Sequence, residues 1–215
     1  DSVDTIFVRW TDTWDSDELI CSFSPGVMFG EWFGPPYPLA MENGEPKEID
    51  LLSSEEVYSF PDPVGDVTLH TVTVHPEIVT FPKFINKPIH HVEEKGGMRI
   101  GKFNQKDWWI EAIRRQTSTH AGKQDNLDMI QLFGKSFIQP TEFRDAYEKG
   151  IIRDGNCGFS VEAVGIESKT GNKIRHTVYN TVALKDSQQY MPWASMGTYA
   201  TSGGVPTILT IMVAK

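Results

Sequence analysis

Long apolar runs are missing from this 215-residue chain: no stretch approaches the roughly 20 residues that a membrane-spanning helix needs. Cysteine is nearly absent. The two that occur, Cys21 and Cys157, lie far apart and form neither a C-x-x-C pair nor part of a paired framework. A reducing compartment is the simpler reading, although one disulfide between them stays open. Basic charge is also scarce, with 20 Lys and Arg against 29 Asp and Glu and a net charge of −9. Nucleic acid and anionic membrane both reward Lys/Arg patches, so neither is an expected partner. The densest basic cluster is only Arg114-Arg115.

Several catalytic signatures are missing too. No G-x-G-x-x-G follows a strand and no G-x-x-x-x-G-K-[ST] occurs, so the chain has no usual means of cradling a pyrophosphate or a triphosphate. There is no G-x-S-x-G elbow and no papain-type cysteine context, which removes the support for nucleophilic hydrolysis. Cys157 reads as a small apolar filler. No metal site is expected: His70 and His75 would point to opposite faces of one strand, as would His90 and His91 if extended.

What is present suits one globular domain over 1–215, with 39% hydrophobic and 23% charged residues. Thr5 to Trp14 alternates Ile6, Val8 and Trp10 against Phe7, Arg9 and Thr11, which predicts a strand ended by Asp15-Ser16-Asp17. Asn43-Gly44, between Leu39-Ala-Met-Glu and Pro46-Lys-Glu-Ile, predicts a type I′ hairpin turn. Val67 to Val74 is β-branched and alternating, and stops at His75-Pro76-Glu77, which puts a polar triplet at a strand end. Gly158 to Glu167 and Lys173 to Leu184 form a long hairpin across Ser168-Lys-Thr-Gly-Asn172. Helices are expected at Ser24 to Phe33, Asp107 to Arg115 and Thr141 to Lys149, from caps and propensity. Hairpins with helices set between them argue for an α+β domain, a largely antiparallel sheet with helices packed on one face.

The two ends read as cut edges. Asp1 opens without methionine directly into Ile6-Phe7-Val8-Arg9-Trp10, and the tail from Tyr199 turns through Gly203-Gly204 and Pro206 into a helix, 205–215, that is apolar on more than one side. Such a helix needs a cover, which suggests a piece of a longer protein.

Five blocks in order carry a family resemblance: Phe23-Ser24-Pro25; Gly34-Pro35-Pro36 before the hairpin; Phe60-Pro-Asp-Pro-Val-Gly65; His75-Pro76-Glu77-x-x-Thr80-x-Pro82; and Tyr199-Ala-Thr-Ser-Gly-Gly-Val-Pro206. Together they resemble the non-Rossmann, catalytic part of saccharopine-dehydrogenase-like oxidoreductases. That resemblance implies a substrate and dimerisation domain, with helix 205–215 packed on a Rossmann domain that binds NAD or NADP. It also implies hydride transfer between a nicotinamide and a carbon bearing nitrogen, on an amino-acid or opine-type substrate, in a cytoplasmic enzyme. The antiparallel sheet leaves a face for self-association, so a homodimer is expected. The chain alone is expected to hold no cofactor and to be inactive.

Under that resemblance His75 is the candidate for proton transfer and Glu77 the neighbour that orients it. Arg99 is a candidate to pair with a substrate carboxylate, or is a solvated strand residue. Tyr199 and Thr201 fall where they would meet substrate or the nicotinamide amide, and Gly203, Gly204 and Pro206 form the turn at the cofactor. Two alternatives remain open at this level. One is a non-catalytic dimerisation or ligand-binding module of the same fold. The other is a carbohydrate- or peptide-binding sheet that uses Trp10, Trp14, Trp32 and Trp193 on an open face.

Overall fold

The computed structural model describes residues 2–22, 38–72, 75–104, 106–107, 137–190 and 196. Its centre is β1 (Thr5–Ser16), a strand of 12 residues that is buried along most of its length. β1 runs parallel to β6 (His91–Ile100) and antiparallel to β8 (Ile152–Ile166). The main path is β3-β2-β6-β1-β8-β9, with β2 (Leu39–Glu42), β3 (Glu45–Glu48) and the edge strand β9 (Lys173–Ala183). β5 (Gly65–Thr71) pairs with β6 and carries β4 (Glu56–Phe60), while β7 (Phe103–Asn104) folds back on β6. Among the described strands only β1–β6 is a parallel pair, which makes this a mixed, largely antiparallel α+β sheet.

The three described helices pack on one sheet face. α1 (Glu77–Phe84) sets Ile78 against Ile6, Val8, Met41 and Val92; α2 (Phe143–Glu148) sets Phe143 against Trp14, ring centroids 5.0 Å apart; α3 (Leu184–Tyr190) adds Leu184 to the same core. The even-numbered residues of β1 meet these helices, so alternation in the sequence translates directly into which side is covered. The β4–β5 hairpin covers part of the opposite face with Phe60, Val67 and Leu69.

The strand expected from Thr5 is β1, and Asn43 and Gly44 take the positive φ angles, 54° and 81°, that a type I′ turn demands. β8 and β9 form the long hairpin, with β8 beginning six residues before the expected Gly158 because Ile152 joins the core. The helix expected at Thr141 begins as a single 3-10 turn at Pro140–Glu142 and continues as α2. The strand expected to reach Val74 is described as β5 only to Thr71, and His75-Pro76-Glu77 leads into α1, a helix the sequence reading did not include. His75 therefore does not share a strand with His70, and the opposite-face argument against a ligand cluster does not apply. Cys21 and Cys157 are both buried and are not joined by a disulfide. The expected helices Ser24 to Phe33 and 205–215, and residues 108–115 of a third, lie outside the described residues, as do Trp32 and Trp193. Trp10 and Trp14 are buried, which counts against an open tryptophan platform.

β6 is the strand that positions the site, and composition hid it. Glu93, Glu94, Lys95, Gly96 and Gly97 in succession have poor β propensity. Packing explains the two glycines. Any Cβ at Gly96 would enter the indole of Trp10, and one at Gly97 would lie 2.8 Å from Leu69 Cδ2 on the other face. The pair lets Trp10 lie flat against the strand on the helix side while the β4–β5 hairpin closes on the reverse.

Candidate functional site

On the helix face, four side chains from separate elements converge. β1 gives Trp10, β6 gives Glu94, the segment before α1 gives His75, and the first turn of α1 gives Glu77. The parallel register sets Trp10 beside Gly96, so the indole lies over the glycine and reaches back to Glu94, two residues earlier on the same face. Trp10 Nε1–H donates to Glu94 Oε1 at 3.0 Å, and His75 Nδ1 lies 3.1 Å from that same oxygen. The two rings stand 6.3 Å apart, tilted by 37°.

This arrangement has definite electrostatics. Glu94 is 5% exposed, and burying a carboxylate costs several kcal/mol unless charge-assisted hydrogen bonds offset the loss of water. The indole and imidazole N–H groups supply those bonds. Burial holds the His75 imidazole below its ordinary 6.5, and Glu77 opposes that shift. The neutral ring with its proton on Nδ1, facing Glu94, leaves Nε2 as the basic nitrogen. Glu77 Oε2 is buried and has no hydrogen-bond partner among the described residues. An acceptor in that condition calls for a donor or a positive charge. Ligand atoms of His75, Glu77 and Glu94 all lie within 4.8 Å of one another, close enough to reach one cation.

Of the residues singled out from sequence, His75 and Glu77 are thus brought together. Arg99 is not. It alternates away from Glu94 on β6 and emerges on the opposite face, where Nη1 donates to the Asp66 carbonyl at 3.2 Å. A small substrate held at His75 cannot reach Arg99 through the sheet. Tyr199, Thr201, Gly203, Gly204 and Pro206 lie outside the described residues. Sequence reasoning missed Glu94 and Trp10. Glu94 sits 17 positions after Glu77 and meets it only because α1 packs on β6, while a tryptophan in an apolar strand carries no local mark of a polar contact.

A second polar feature lies on the hairpin side. Arg9, 6% exposed, is held between the rings of Phe7 and Tyr58 and pairs with Glu56 at 3.1 Å. Lys95 bonds the same Glu56, and Tyr58 Oη shares a hydrogen bond with Ser160 Oγ at 2.9 Å. These contacts tie the β4–β5 hairpin to the sheet, and we assign them to the fold rather than to chemistry.

No family model and no curated protein matches the sequence. Solved structures resemble it in fold. The homospermidine synthase of Legionella pneumophila, solved with NAD, superimposes with a TM-score of 0.51 at 11% identity, over 97% of this chain and 45% of that one. The apo saccharopine dehydrogenase (L-Glu forming) of Saccharomyces cerevisiae gives a TM-score of 0.47 at 10% identity, over 85% of this chain and 53% of that one. The chain therefore spans about half the length of these structures and shares its α+β fold with part of the homospermidine synthase.

Proposed function

We propose that this chain is the substrate-binding and catalytic part of an NAD(P)-dependent oxidoreductase acting on the C–N bond of an amino-acid or opine-type amine. One observation carries the reading: buried Glu94 paired with half-buried His75, beside a second carboxylate, Glu77, whose buried oxygen lacks a partner among the described residues. The likeness of fold to a homospermidine synthase that holds NAD supports the choice of chemistry.

The described residues contain no glycine-rich turn to cradle a dinucleotide. Their share of the chemistry is recognition of the amine and movement of its proton. Two carboxylates draw a protonated amine to the site, and partial desolvation strengthens that attraction. Oxidation at the adjacent carbon needs the nitrogen lone pair, so the ammonium first loses a proton. His75 Nε2 accepts it, and Glu94 at Nδ1 stabilises the imidazolium that results. The dinucleotide would sit on a Rossmann domain of the same protein, against Gly203, Gly204 and Pro206, with Tyr199 and Thr201 completing the substrate contacts.

Self-association belongs to the same proposal. β9 pairs only with β8 among the described residues, and Val178 on it is 72% exposed beside Val161. An open edge of that kind suits a second copy of the chain. A monomer by light scattering would contradict the homodimer.

The test is a dinucleotide-linked assay on the complete protein with His75→Gln. Amine turnover should fall by about 100-fold or more, the usual share of a proton-transfer group, while dinucleotide affinity stays unchanged. Failure of the complete protein to bind NAD(H) or NADP(H) would sink the reading.

A further inference from the structure

Beyond the His75 site, we propose a second binding site on the opposite sheet face, one that takes the zwitterionic head of a small α-amino acid. The register places Thr13 of β1 between Arg99 of β6 and Asn156 of β8, in one row across the three central strands. A cavity of about 400 Å³ opens over this row, lined by Thr13, Asp15, Arg99, Gly101, Asp154 and Asn156 among others. Pockets of that size accommodate small metabolites.

The chemistry of the lining selects the ligand. Arg99 is exposed, and among the described residues no carboxylate lies within ion-pair distance of it, whereas Arg9, Arg144, Arg153 and Arg175 each pair with one. The Asp66 carbonyl takes one N–H from Nη1 and fixes the direction of the guanidinium. Its other N–H groups can grip a carboxylate.

Acceptors stand across the cavity. Asn156 Oδ1 is buried with no hydrogen-bond partner among the described residues. Asp15 is neutralised by Arg153, at 2.6 Å. Asp154 is different: Oδ1 accepts the Gly155 N–H at 2.8 Å, and no cation pairs with it among the described residues. Arg99 and Asp154 thus share one cavity without reaching each other.

A molecule with a carboxylate and an ammonium a few ångströms apart satisfies Arg99, Asn156 and Asp154 at once. A simple carboxylate satisfies only the first. A simple amine satisfies only the other two. The His75 site lies across the sheet and takes no part in this binding, so the two sites stand or fall separately.

Calorimetric titration of the chain with L-alanine, propionate and ethylamine tests the assignment without any cofactor. L-Alanine should bind saturably, with each half-ligand weaker by about tenfold or more. Arg99→Gln and Asp154→Asn should each weaken L-alanine by about tenfold at unchanged thermal midpoint. Equal binding of L-alanine and propionate, or a folded Arg99→Gln that binds L-alanine normally, would overturn the proposal.

Discussion

Trp10 and His75 direct their ring nitrogens at the same oxygen, Glu94 Oε1, from 3.0 and 3.1 Å. That convergence ties a core strand, β1, to the residue proposed to move a proton. It also explains why a carboxylate survives at 5% exposure in the middle of a sheet.

Glu94→Ala would leave the buried Trp10 N–H and the half-buried His75 N–H without their acceptor, and stability should fall by about 1–3 kcal/mol in thermal or urea unfolding. Glu94→Gln keeps the shape and an acceptor for Trp10 but removes the charge that supports a His75 imidazolium. Most of the stability should be retained, while amine turnover by the complete protein falls by about tenfold or more. Normal turnover in Glu94→Gln would mean that the pair serves only the fold.

Gly96→Ala tests how the site is positioned. The added methyl group would enter the Trp10 indole, so the ring must tilt away from Glu94. Overpacking of this kind costs about 1–3 kcal/mol. Tryptophan fluorescence should shift together with the unfolding midpoint, and an unchanged spectrum with unchanged stability would count against the packing described for β6.

Asp12 provides a pH signature away from the site. Its side chain is buried, and burial raises its pKa above 3.8 despite hydrogen bonds to Ser22 and Cys157. The folded chain therefore binds this proton more tightly than the unfolded one. The stabilisation is complete below the unfolded value and is lost as pH rises through the raised folded value. Asp12→Asn should flatten that slope, so its melting temperature should gain most on the wild type at about pH 8 and least at about pH 4. A constant difference across that range would contradict the assignment.

The His75, Glu77 and Glu94 atoms lie close enough to reach one ion, so metal removal separates two uses of the same side chains. If they receive a protonated amine, dialysis against EDTA should leave turnover intact, and added zinc should inhibit in competition with the amine. Turnover lost on dialysis and restored by zinc would replace the proton-transfer reading with a metal centre.

What the sequence made legible was local. The Asn43-Gly44 turn, the β1 alternation and the β8–β9 hairpin each rest on residues adjacent along the chain, and each appears where expected. β6 was hidden because its charges and paired glycines are explained only by neighbours distant in sequence, Trp10, His75 and Leu69. α1 was hidden because Pro76 and Pro82 argue for an ending, yet Pro76 serves as its N-cap and Ile78 anchors it to the core. At the site the triplet His75-Pro76-Glu77 was visible and its partner Glu94 was not. Arg99 was noticed for sound chemical reasons, but alternation along β6 sends it to the other face.

The most direct test is the pH dependence of amine oxidation by the complete protein, wild type against His75→Gln. With His75 as the proton acceptor, wild-type kcat should fall as pH drops below the lowered imidazole pKa, and His75→Gln should be slow and nearly flat over that range. The same acid limb in both proteins, at comparable rates, would show that the proton leaves by another route and would contradict the proposal.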